Sequence, residues 1–75
     1  MAWQEKIATD PSICGGRPRL KGTRLAVDFL LGLKAAGWTE AQILKDYPSL
    51  KDEDLRAVYA YAQAIMRDEA FVPAA

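Results

Sequence analysis

Four basic side chains, Arg17, Arg19, Lys21 and Arg24, fall close together in a segment crowded with turn formers, Asp10-Pro-Ser-Ile-Cys-Gly-Gly-Arg-Pro-Arg-Leu-Lys-Gly-Thr-Arg24. Cations at that spacing can track a phosphate backbone, because each contact releases condensed counterions. The same cations can also cap carbonyls and brace turns, and the residues alone leave both readings open. The segment superficially resembles a phosphate loop but fails on order. A P-loop places glycine before lysine and a hydroxyl residue directly after it. Here Lys21 precedes Gly22, and Pro18 removes one N–H from any cradle.

Catalytic chemistry is poorly served. There is no histidine, so a general base near neutral pH would have to be a carboxylate or lysine strongly shifted by burial. The acids gather at expected helix ends, where capping accounts for them. Cys14 lies near Arg17, and nearby cations lower a thiol pKa. A small apolar residue in a turn is the simpler reading of it. One cysteine and no histidine cannot build a structural zinc site. The chain reads as a binding protein and not an enzyme, with no cofactor.

Around these residues the chain is short, with 75 residues and a net charge of zero. A domain of this size buries only about 60% of its unfolded surface and is marginally stable unless something staples it. With one cysteine a disulfide is excluded, so oligomerisation or a partner is the remaining staple. A lone thiol fits a reducing compartment. No apolar leader or spanning segment is visible, which points to a cytoplasmic protein without membrane contact. The charge is unevenly spread. Residues through Val27 carry a net +3 and those from Asp28 onward a net −3. A basic front and an acidic back favour an anionic partner or head-to-tail self-association.

The elements that must position the basic residues are an arm and three helices. Residues 3–8 are expected as a short strand with Trp3, Glu5 and Ile7 on one face. Asp10-Pro11, Gly15-Gly16 and Lys21-Gly22 are expected as turns, at least one of Gly15 and Gly16 with positive φ. Pro18 to Leu20 reads as an edge strand. The first helix is expected from Val27 to Ala36. Val27, Phe29, Leu30, Leu31 and Leu33 cover more than half its circumference, so it is central or touches a second surface. Gly37 stands where a left-handed C′ residue belongs. The second helix carries a capping box, Thr39 with Gln42, and a staple of Trp38 on Ile43, and it ends at Asp46 before Tyr47-Pro48. The third helix is expected from Asp52 to Glu69, its cap being either Lys51 or Asp52. Leu55, Val58, Ala62, Ile65 and Met66 form its core stripe, flanked by Tyr59 and Tyr61. Arg56, Gln63 and Arg67 line its open face beside Ala57, Ala60 and Ala64. The whole is one domain over residues 1–75: a basic β arm at 1–26, a three-helix core at 27–70 and a tail at 71–75. Three helices joined by tight turns suggest the helix-turn-helix class. In that class the last helix reads DNA, and its triply acidic first turn (Asp52, Glu53, Asp54) would repel phosphates. DNA contact would then fall to the arm, helped by Arg56 and Arg67.

Several blocks carry a resemblance. They are Asp10-Pro-Ser-Ile-Cys-Gly-Gly-Arg-Pro18, Leu20-Lys-Gly-Thr-Arg-Leu25, Ala35-Ala-Gly37, Ile43-Leu-Lys-Asp-Tyr-Pro48, Asp54-Leu-Arg-Ala57 and Tyr61. From Ile7 to Ala62 the chain resembles the small bacterial proteins called domain of unknown function 433, DUF433. The resemblance implies a mainly α, homeodomain-like three-helix fold with a short β arm. It also implies an antitoxin of a type II toxin–antitoxin pair. Such a protein would neutralise a PIN-like ribonuclease toxin by direct binding and repress its own promoter. PIN active sites are acidic, so Arg67 or an arm arginine is a candidate to enter one. The expected assembly is a homodimer. Ala26 stands where the family usually has proline, and Lys51 where it usually has a capping threonine. The alternative is a DNA-binding helix-turn-helix regulator with no toxin partner. In either case Arg17, Arg19, Lys21, Arg24, Arg56 and Arg67 are the candidate contact residues.

Overall fold

The computed structural model describes residues 2–68. Within them the fold is mainly helical, with a short N-terminal β arm and three helices: β1 (Ile7–Ala8), β2 (Arg19–Leu20), α1 (Val27–Ala35), α2 (Glu40–Asp46) and α3 (Asp52–Asp68). The expectations for Glu69, for the tail at 71–75 and for the Cys14 side chain lie outside the described residues.

The arm differs from the expected strand over residues 3–8. Trp3–Glu5 form a single 3-10 turn, and only Ile7–Ala8 pair with β2, antiparallel, Ile7 opposite Leu20 and Ala8 opposite Arg19. The physical reason is Trp3. A continuous strand would hold its ring along the sheet, whereas the turn brings it onto α3. There its ring meets Tyr61 edge-on at 5.1 Å between centroids, a geometry that aromatic quadrupoles favour. Lys6 adds a second tie, its ammonium donating to Glu53 Oε1 and Asp54 Oδ1, both at 3.2 Å. These two bonds hold the Lys6 pKa above its ordinary value, Glu53 contributing more than Asp54.

The arm then turns at Asp10, whose Oδ1 accepts from the Ser12 amide at 2.9 Å and the Ser12 hydroxyl at 2.7 Å. Gly15 and Gly16 both have positive φ. The arm also supports the start of α1. Ala26 is the N-cap residue and offers no side-chain acceptor. The Val27 amide donates instead to the Pro18 carbonyl at 2.8 Å, which satisfies one of the donors a helix N-terminus leaves open.

Helix α1 stops one residue earlier than expected. Gly37, at φ +97°, is the left-handed C′ residue. Its amide donates to the Lys34 carbonyl and that of Trp38 to the Leu33 carbonyl, each at 3.0 Å. This pair of bonds is a Schellman motif. The next helix begins at once. The Thr39 hydroxyl accepts from the Gln42 amide at 3.1 Å, and Gln42 Oε1 accepts from the Thr39 amide at 2.8 Å, the expected capping box. At α3 the choice of cap falls on Lys51. Asp54 Oδ2 accepts from the Lys51 amide at 2.9 Å. Leu50 and Leu55, at the two staple positions, are both buried. Lys51 has no side-chain acceptor, so only half a capping box exists.

The core joins all parts. Ile7 and Leu20 of the arm, Val27 and Leu30 of α1, Ile43 of α2, Leu50, and Leu55, Ala57 and Val58 of α3 form one buried cluster. Ala57 was expected on the open face of α3 and is 0% exposed. The correction follows from Trp3, since the N-terminal 3-10 turn packs on α3 and its side becomes interior. Ile65 and Met66 were expected in the core and are 39% and 59% exposed. They lie on the far half of α3, where α1 does not close over them. No helix of the described residues is long and apolar enough to cross a membrane.

Candidate functional site

Two separate concavities collect the residues of interest. The larger is an apolar groove of about 460 Å³ between α1 and the C-terminal half of α3. Val27 and Leu31 form one wall, and Tyr61, Ala62, Ile65 and Met66 the other. Pro18 and the Arg17–Asp28 pair stand at its edge. Arg17 Nη1 lies 2.9 Å from Asp28 Oδ2, with both side chains largely exposed, so the pair adds little stability. This groove is where the over-apolar α1 spends its surplus. Leu31 lies in the groove, while Phe29, 44% exposed, turns the other way and meets Tyr47 edge-on at 5.9 Å.

The smaller concavity, about 320 Å³, lies on the arm and is lined by Ile13, Arg19, Gly22, Thr23 and Arg24. Its floor is a tight loop. The Leu20 amide donates to the Leu25 carbonyl at 3.1 Å, and the Thr23 amide donates to the Leu20 carbonyl at 3.1 Å. The Thr23 hydroxyl donates to that same carbonyl at 2.8 Å and accepts from the Leu25 amide at 3.1 Å. Gly22 has φ +77° at the third position of the turn, a value that a type II turn demands and glycine meets at no steric cost. Arg19 is half-buried. Its Nη1 donates to the Leu20 carbonyl at a long 3.4 Å. Its Nε is buried and has no hydrogen-bond partner among the described residues.

The six candidate contact residues therefore do not form one track. Arg17 belongs to the groove and Arg19 with Arg24 to the arm concavity. Lys21 is exposed on the turn beside that concavity. Arg56 bonds Asp52 one turn back, Nε to Oδ2 at 2.9 Å, and Arg67 is exposed in the last turn of α3. The groove itself escaped the sequence reading. Its signal was present in Ile65 and Met66, two apolar residues in the last turns of α3 that stand across the groove from Val27 and Leu31.

Two further polar ties fix α2. Lys34 Nζ donates to the Trp38 carbonyl at 3.0 Å and to Glu40 Oε2 at 3.2 Å, and the Tyr59 hydroxyl donates to Glu40 Oε1 at 3.2 Å. The Glu40 carboxyl is held below its ordinary range, first by its own backbone amide, then by Lys34 and Tyr59. Tyr59 is shifted up, first by burial and then by the Glu40 charge. These groups brace the α1–α2 corner, outside both concavities.

The family model described as "Protein of unknown function (DUF433)" matches residues 7–62, a span that takes in the arm concavity and stops short of Ile65 and Met66 in the groove. The chain belongs to the DUF433 family. It is 33% identical to a DUF433 member protein from Anabaena variabilis whose crystal structure superposes with a TM-score of 0.75, covering 91% of this chain and 71% of that one. It is also 36% identical over 63 residues to the protein of Sinorhizobium fredii named uncharacterized protein y4eO, covering 84% of this chain. The chain spans only 28% of the length of that curated relative.

Proposed function

We propose that this DUF433 protein is an antitoxin-like binding module, a homodimer that docks a PIN-like ribonuclease and neutralises it. The observation that carries the reading is the α1–α3 groove. It exposes Ile65 and Met66 beside Leu31 and Tyr61, and it places the Arg17 guanidinium at its edge. An apolar helix of the partner fits a groove of that kind, with side chains a turn apart as anchors. Arg17 and Arg67 would then face the acidic active site of the ribonuclease. The protein acts by binding and has no reaction of its own. The test is co-expression with the product of an adjacent PIN-like reading frame. The wild-type pair should co-elute with the nuclease silent. Met66→Glu, on an exposed position, should separate the two and restore nuclease activity while the helical spectrum stays unchanged. Separate elution of the wild-type proteins with an active nuclease would end the reading.

A second reading is favoured by the arm concavity. Here the three helices act as a homeodomain-like, helix-turn-helix DNA-binding regulator without a toxin. The acidic first turn of α3 disfavours that helix as the one in the major groove, so the arm must carry the contact. Gel-shift titration on the upstream DNA of its own gene at low salt tests it, and no shift there would exclude it.

A further inference from the structure

We propose that the arm concavity between Arg19 and Arg24 is a binding site for a phosphate group. The proposal deepens the DNA reading by naming the group contacted, and it does not involve the ribonuclease.

Two guanidinium groups line the concavity, and no carboxylate among the described residues does. Guanidinium forks match the oxygens of a phosphate and can hold it by two bonds at once. The loop that presents them is fixed in advance by four hydrogen bonds among Leu20, Thr23 and Leu25, so little ordering remains for binding to impose. Arg19 supplies the most specific argument. Its Nε–H is buried without an acceptor among the described residues, a costly state for a charged donor, and its Nη1 bond to the Leu20 carbonyl is a long 3.4 Å. A phosphate in the concavity would draw the guanidinium fork outward and offer both donors an oxygen. Gly22 has open space where a Cβ would stand, so a ligand can approach the backbone of the turn. Lys21 adds an exposed positive charge next to it. The Asp10 carboxylate feels the charge of Arg19, but it takes its hydrogen bonds from Ser12 and does not line the concavity.

The experiment is an NMR titration of the full chain, reading arginine Nε–H and backbone amide signals. The probes are inorganic phosphate, a short DNA duplex and an acidic peptide, each against chloride at matched ionic strength. Phosphate should shift the Arg19 and Arg24 Nε–H signals and the Gly22 amide saturably. Arg24→Ala, at an exposed position, should weaken phosphate binding roughly 10- to 100-fold, the worth of a hydrogen bond to a charged group. Arg19→Lys keeps the charge, removes the Nε–H donor and should weaken it as well. Lys45→Ala, at an exposed position in the last turn of α2, should change nothing. Duplex DNA that moves the same signals identifies a nucleic-acid source. Phosphate that binds while DNA does not ends the regulator reading and leaves the site standing, filled by a small phosphorylated ligand. Signals that phosphate moves no more than chloride does, or that only the acidic peptide moves, would overturn the proposal, as would an unaltered Arg24→Ala. If Arg19→Lys unfolds, Arg24→Ala alone decides.

Discussion

Replacing Lys51 by threonine should stabilise this protein, and the size of the gain can be worked from its own two caps. At α2 the box is complete, with Thr39 and Gln42 each accepting from the other's amide. At α3 Asp54 already reaches back to the Lys51 amide at 2.9 Å, and the staple residues Leu50 and Leu55 are buried. Only the hydroxyl is missing. A side-chain oxygen at an N-cap contributes about 0.5–2 kcal/mol over a residue that lacks one. The gain here belongs at the lower end, because the Asp54 amide already has a partner, the Lys51 carbonyl at 2.9 Å. Lysine at this position also sets a cation against the positive end of the helix dipole, which costs a few tenths of a kcal/mol. Its attraction to Asp52, Glu53 and Asp54 offsets part of that. Lys51 is exposed, so no packing is lost. The net expectation is about 0.5–1 kcal/mol.

In a chain this short, 1 kcal/mol moves the melting temperature by about 4–8 °C, so Lys51→Thr should raise it by about 2–8 °C. Thermal unfolding followed by circular dichroism reads this directly. Thr39→Ala, which removes the corresponding hydroxyl from the complete box, should lower it by a similar or larger amount. A Lys51→Thr variant that melts at or below the wild-type temperature, while Thr39→Ala behaves as stated, would show that Lys51 is not the cap and that the helix start has been misread.

Trp3→Ala should cost at least the about 0.5–1.5 kcal/mol of its ring pair with Tyr61, seen as a lower urea midpoint with the helical signal retained. Leu30→Ala, at a side chain only 1% exposed, should cost about 2–5 kcal/mol, enough to leave much of the chain unfolded in a urea titration. On the acid side, Asp10 and Glu40 are held below their ordinary values of 3.8 and 4.5. Their contribution is present above those values and is lost as pH falls through the lower folded-state values. Stability against urea should therefore drop below about pH 4.5, and Asp10→Asn with Glu40→Gln should flatten that drop. On the alkaline side, Lys6 and Tyr59 are both raised from 10.5 and 10.0. What they contribute is intact below those values and disappears as pH climbs through the higher folded-state values. Lys6→Met with Tyr59→Phe should accordingly lose less stability above pH 10.0 than the wild type does.

The helix ends were legible because their chemistry is local. Thr39 with Gln42, Trp38 with Ile43, and Gly37 after Ala36 each act within a few residues, and the structure puts each where its type demands. The arm was not legible in the same way. Trp3 and Ile7 alternate like strand residues, and nothing within Trp3–Ala8 reveals that Tyr61 waits as a partner 58 positions away. Ala57 fails for a related reason. Periodicity weighs a helix face by the size of its side chains, and an alanine looks like surface until the packing of Trp3–Glu5 on α3 is known. Ile65 and Met66 fail in the opposite sense. Their period is right, but α1, which begins only at Val27, stands across the groove from them and does not close over them. The length of a neighbouring element, not the pattern of their own, decides exposure.

That shortfall of α1 gives the molecule its two faces. A first helix extended at its N-terminus would bury Ile65 and Met66 and leave a closed bundle with an arm. Here α1 begins only at Val27, on the groove side, and the arm fills only one edge of the gap with Pro18 and Arg17. The Pro18 carbonyl fixes the start of α1 through the Val27 amide, so the edge of the groove and the root of the arm are one rigid unit. Only one residue separates Arg17 from Arg19, yet they line different concavities. The segment joining them is anchored at the Pro18 carbonyl and at the β1–β2 pairing. A partner filling the groove would therefore contact Arg17 without displacing Arg19 or Arg24. The groove and the phosphate concavity can be occupied together, and a charge change at Arg24 should leave groove binding untouched while Met66→Glu leaves phosphate binding untouched.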